Sequence, residues 1–125
     1  MREDRAAFLD QFTTNFFSAD GEPKVTEDVR QEAIRVALQA SPEATLRCIA
    51  AFGRTDFRAD VAAVTVPTLV VHGDSDAIVP FEVSGRRTAR DIPGAELVVL
   101  EKGPHAINAS HVEEFNAALL GFLAR

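Results

Sequence analysis

A chain of 125 residues is the size of one domain and can bury roughly two thirds of the surface its unfolded form exposes. Its 46% apolar and 26% charged residues describe an ordinary globular protein, and no apolar run nears the ~20 residues of a membrane span, so no membrane partner is expected. Nineteen acidic against thirteen basic side chains give a net charge of −6, which repels phosphate backbones and argues against nucleic acid as a partner. The single cysteine, Cys48, precludes an internal disulfide, and the opening MREDR lacks an apolar signal region. A reducing cytoplasm is therefore the expected location.

The first 57 residues read as helices. Phe8, Leu9, Phe12 and Phe16 form one apolar stripe across Ala6 to Phe17, with Phe17 beside it, which predicts a helix. A loop, SADGEPK, follows. Thr26 precedes Glu27 and Asp28, acids suited to a first helical turn, and Val29, Ala33, Ile34, Ala37 and Leu38 then recur at helical spacing. Ser41, Pro42 and Glu43 mark the start of a third helix: a hydroxyl to cap it, a proline where no amide donor is needed, and an acid near the positive end of the dipole. This helix is expected to end at Gly53 and to bury Cys48, between Leu46 and Ile49, as an inert thiol.

From residue 58 the pattern changes. Val66 to His72 is a short apolar, β-branched run entered through Pro67, as in a strand. Glu82 to Asp91 is helix-like, Pro93 and Gly94 make a turn, and Glu96 to Leu100 reads as a second strand. Ser110 and Glu113 have capping-box spacing ahead of an amphipathic last helix through Val112, Phe115, Ala118, Leu119, Phe122 and Leu123. Strand, helix, strand, helix is the order of parallel α/β architecture. Two parallel strands are not an independently stable sheet, however. Completion is expected from an N-terminal half, a second copy or another polypeptide.

Three chemistries compete in the loop after the first strand, TLVVHGDSDAIVP. In the first, Ser75 is a nucleophile, since G-D-S-D-A imitates the G-x-S-x-G elbow. The match is poor: Ala77 replaces the final glycine, and Ile78, Val79 and Pro80 leave no helix start to supply an oxyanion donor. The GDSL lipases are similar here too, but their D-x-x-H partner motif has no counterpart, since Lys102 lies three residues before His105. In the second, Asp74 and Asp76 form a D-x-D pair of the haloacid-dehalogenase phosphatase kind, without the lysine and acidic motifs that chemistry needs downstream. A zinc site of His72, His105 and a carboxylate is equally weak, because neither histidine has a paired-ligand spacing. In the third, Asp76 holds His105. Each follows one of the two strands by a few residues, so both loops would open on the carboxyl edge of the sheet, where ligands collect. A carboxylate on one imidazole nitrogen fixes the tautomer that makes the other nitrogen a base.

At these residues the chain resembles a known family. VPTLVVHGDSDAIVPFE, DIPGAELVVLEKGPHAI and HVEEFNAALLGFLAR are similar to the C-terminal part of α/β-hydrolase-fold arylesterases, also called cofactor-free (non-haem) haloperoxidases or perhydrolases. ASPEATLRCIAAFGRTDFRADVAAV is similar to the family's cap and its return to the sheet. The resemblance implies a partial α/β-hydrolase fold: residues 1–57 a helical cap segment, residues 58–125 the C-terminal part of the core with two strands and two main helices. It assigns the triad aspartate to Asp76 and the triad histidine to His105. It implies ester hydrolysis, with peroxide able to replace water and form peracids that oxidise halide, and no metal, haem or flavin cofactor. A small ester or peroxide is the implied substrate.

The chain departs from the pattern in lacking the G-x-S-x-G serine, the oxyanion loop and the earlier strands, and in placing Ala106 where relatives commonly have glycine. By itself it is expected to be inactive as an esterase. Six of the nine phenylalanines fall in the first 57 residues, where packing of cap against sheet is the plainer role and an acyl or aryl pocket the alternative. The contrasting expectation for the whole chain is a non-enzymatic truncated form or interaction module that associates through exposed strand edges.

Overall fold

The computed structural model describes residues 4–125; the first three residues of the MREDR opening lie outside them. Helix α1 (Arg5–Phe16) is capped by Asp4, whose carboxylate accepts the Ala7 amide at 2.8 Å. Its phenylalanines, one turn apart, stack as a ladder: Phe8 on Phe12 at 5.9 Å between ring centroids and Phe12 on Phe16 at 5.5 Å. The loop that follows contains a two-residue hairpin, β1 (Ser18–Ala19) and β2 (Glu22–Pro23). Asp20 and Gly21 turn it with φ of 54° and 81°, the left-handed pair that such tight hairpins require.

Helix α2 (Glu27–Gln39) is tied to α1 by one guanidinium. Arg30 Nη1 donates to the Asp10 carboxylate at 2.8 Å and to the Thr13 hydroxyl at 3.2 Å, while its other nitrogens hold Glu27. Arg30, aided by Gln31, keeps the Glu27 carboxyl well below the usual range, at about 2. Helix α3 (Pro42–Arg54) starts where its signals stand, with Ser41 Oγ accepting the Ala44 amide at 3.3 Å. A short helix α4 (Arg58–Ala62) leads into the α/β half.

Strands β3 (Leu69–Gly73) and β4 (Glu96–Leu100) pair in parallel, with Leu69 opposite Glu96 and Gly73 opposite Leu100. Between them lie a 3-10 turn (Phe81–Val83) and helix α5 (Gly85–Asp91); after them come α6 (Ile107–Ser110) and α7 (Val112–Leu123). Helices α5 and α7 both pack on the strand pair. Phe81, Ile92, Leu100, Ala106 and Ile107 form the buried core of this half. Among the described residues each strand of the pair has one partner, so both outer edges are open. No described helix is long and apolar enough to cross a membrane.

Several expectations need correction. Cys48 is exposed, as are Ile49 and Phe52, because no residue of α3 is fully buried: among the described residues its apolar face is covered only in part, at half-buried Leu46 and Ala50. Gly53 lies inside the last turn of α3, which ends one residue later. The first strand begins at Leu69, not Val66, which is exposed. The helix expected from Glu82 is preceded by the 3-10 turn and begins at Gly85. Ser110 does not cap the last helix. Its hydroxyl bonds the Ala106 carbonyl at 3.1 Å and His111 Nδ1 at 2.8 Å, and His111 Nε2 donates to the Glu101 carbonyl at 3.2 Å.

Candidate active site

Two loops at the carboxyl ends of β3 and β4 are locked together by backbone. Gly73 and Gly103 meet directly: a Cβ on Gly73 would stand 2.1 Å from the Gly103 carbonyl oxygen. Asp74 N donates to Leu100 O and Ser75 N to Gly103 O, each at 3.1 Å. Asp74 adds a side-chain brace, its Oδ1 accepting the Lys102 amide at 2.7 Å where Lys102 turns with φ of 54°. Gly73→Ala is therefore expected to force the loops apart and to destabilise the chain by about 3 kcal/mol, the upper end of ordinary overpacking. Urea unfolding measures this, and a variant as stable as the parent would contradict the close approach.

Asp76 is buried, with 3% of its side chain exposed. Its carboxylate organises its own turn: Oδ1 accepts the amides of Ile78 at 2.9 Å and Val79 at 2.8 Å. With Oδ1 satisfied within the loop, Oδ2 is left for partners outside it. It lies 2.7 Å from His105 Nδ1. A buried carboxylate with two amides and an imidazole around it is well solvated by protein dipoles, as a buried charge requires.

His105 is fixed from three sides. Pro104 before it is fully buried, Ala106 after it donates its amide to the Phe16 carbonyl at 3.3 Å, and the Phe16 ring packs edge-on against the imidazole at 4.8 Å between centroids. The aromatic ladder of α1 thus ends on the histidine. Ala106 has φ of −88°, a conformation open to a residue with a Cβ, so glycine is not needed there. A carboxylate oxygen can only accept, so His105 carries its hydrogen on Nδ1 and Nε2 is the lone-pair nitrogen of the neutral ring. None of the hydrogen bonds of the described residues reaches Nε2. A depression of about 350 Å³ adjoins the pair, with Val71, Gly73, Asn108 and Phe115 among its lining residues.

The structure thus brings Asp76 and His105 together. Ser75 is not joined to any of the three histidines; its hydroxyl donates to Asp74 Oδ1 at 3.0 Å. Asp74 and Asp76 serve different partners and do not act as a pair. Two contributors escape a reading of the sequence by spacing. His72 reaches Asp76 Oδ2 at 3.2 Å from within β3, and Phe16 arrives from the helical half.

No family model matches the chain. A non-heme chloroperoxidase of Kitasatospora aureofaciens is 41% identical over 123 residues, 96% of this chain and 45% of its own length. A bifunctional esterase/perhydrolase of Acinetobacter calcoaceticus is 33% identical over 80% of this chain and 36% of its own. The crystal structure of bromoperoxidase from Bacillus anthracis superposes with a TM-score of 0.95 at 50% identity, covering 99% of this chain and 45% of that one. The chain therefore spans less than half the length of the proteins it matches.

Proposed function

We propose, on the premise that this chain belongs to the α/β hydrolases of the non-heme haloperoxidase and esterase type and corresponds to their C-terminal part, that Asp76 and His105 are the acid and base of a serine ester hydrolase. The observation that carries the reading is the 2.7 Å contact of His105 Nδ1 with Asp76 Oδ2, which leaves Nε2 as the basic nitrogen. His105 Nε2 would take the proton of a serine hydroxyl as it attacks an ester carbonyl, then give it to the leaving alcohol. Asp76 would hold the ring in this tautomer and stabilise its cationic form. Water then releases the acid from the acyl-serine; hydrogen peroxide in its place releases a peracid, which oxidises halide. The names of the matched relatives support both outcomes.

In this reading residues 1–57 are the cap over the site, and the serine and oxyanion donors come from polypeptide that also completes the sheet beyond the open strand edges. The 125-residue chain alone should then show no hydrolysis of an activated ester above background. A serine-directed phosphonate followed by mass spectrometry should find no label; labelled Ser75 would overturn the assignment. The open edges of β3 and β4 and the exposed Ile49 and Phe52 of α3 favour a second reading, an interaction module without catalysis. Light scattering separates the two: self-association through the edges supports it, and a monomer with cooperative unfolding counts against it.

A further inference from the structure

His72 lies in β3 with 14% of its side chain exposed, and its ring is closely held. A Cβ on Gly85 would stand 2.5 Å from His72 Nδ1, so α5 meets this edge of the ring with bare backbone. The Phe81 ring lies against it at 5.6 Å between centroids, with Arg86 stacked on that ring and paired with Glu82. On its other edge, Nε2 stands 2.9 Å from the Val79 carbonyl oxygen and 3.2 Å from Asp76 Oδ2. Both neighbours are acceptors, so Nε2 carries the hydrogen.

We propose that His72 is a positioning residue that acts through Asp76: its Nε2–H donates to the Val79 carbonyl, and Nε2, 3.2 Å from Asp76 Oδ2, sets a positive N–H edge beside that oxygen. The contacts form a closed circuit. The Val79 amide holds Oδ1, the Val79 carbonyl holds His72, and His72 returns to Oδ2 of the same carboxylate. Two histidines of opposite tautomer thus flank one oxygen: His105 donates to it through Nδ1–H, and the Nε2–H edge of His72 lies beside it. The positive edge of His72 beside Oδ2 lowers that oxygen's pull on the His105 proton, so His72 tempers the grip of Asp76 on His105 as well as closing the turn. This inference rests on the reading of Asp76 and His105 as a working pair.

Long-range proton–nitrogen NMR of the imidazole rings in the 125-residue chain tests it. The expected spectrum has His72 protonated on Nε2 and His105 on Nδ1; His72 protonated on Nδ1 alone would overturn the inference without any substitution. The low-field Nδ1–H signal of His105 supplies the second readout. In His72→Phe it should move further downfield, because Oδ2 then lacks the neighbouring N–H dipole, and His72→Gln, whose amide can donate to the Val79 carbonyl beside Oδ2, should bring it back. An unmoved or upfield signal in a folded His72→Phe chain would overturn the proposal; if that variant does not fold, the parent tautomers decide it. Asp76→Asn separates the two claims. Survival of the low-field signal there refutes the Asp76–His105 pair itself, whereas its loss together with a failed His72 result refutes only the role of His72.

Discussion

Asp76→Asn should lower kcat for ester hydrolysis by about 10⁴, the scale of the same change in an unrelated serine protease, once this chain is joined to an α/β-hydrolase segment bearing a G-x-S-x-G serine. The reason lies in the two carboxylate oxygens. An asparagine oxygen can still accept the Ile78 and Val79 amides that Oδ1 accepts now, so the turn is preserved. Its amide nitrogen then replaces Oδ2 and presents hydrogens to His105 Nδ1, which must accept. The imidazole is driven to the Nε2–H tautomer, and the nitrogen meant to take the serine proton already carries one. Since the Asp76 side chain is buried and acts through His105, KM should change little. Rates within tenfold of the parent would refute the role.

His105→Ala in the same joined protein should cost more, on the order of 10⁶ in kcat, as removal of the base does in an unrelated serine protease. In the proposed mechanism the substitution deletes the group that moves the proton in both half-reactions. It also removes the edge-on partner of Phe16, so a thermal melt should accompany the rate measurement. A folded variant that keeps appreciable rates would place the base elsewhere. If both activities are present, hydrolysis and perhydrolysis should fall together, because in the proposed mechanism both pass through the same acyl-serine.

The α/β half is the more legible part of the chain. Glu96 to Leu100 forms a strand with the boundaries its apolar run suggests, and Asp76 and His105 meet because loops after neighbouring parallel strands open on one edge. The short elements are silent in the sequence for a physical reason. Strands of two residues, as in Ser18–Ala19, and helices of four, as in Ile107–Ser110, are too brief to show a period. Cys48 was misjudged because an apolar helical stripe reports what a face could bury, not whether a neighbour covers it. The brace from Asp74 to Lys102 spans 28 residues, and only the register of the strands reveals it. His72 is hidden in a strand pattern, where a histidine looks like one more half-buried residue until the turn folds back over it.

The central claim is that the Asp76 carboxylate turns His105 so that its free nitrogen addresses a serine supplied from outside these residues. A crystal structure of the joined protein with a phosphonate on that serine measures this directly. The expected result is His105 Nδ1 on Asp76 Oδ2, as in the 2.7 Å contact here, and Nε2 within hydrogen-bond reach of the serine oxygen. An imidazole turned away from the phosphonate, or a carboxylate engaged with some other partner, would contradict it.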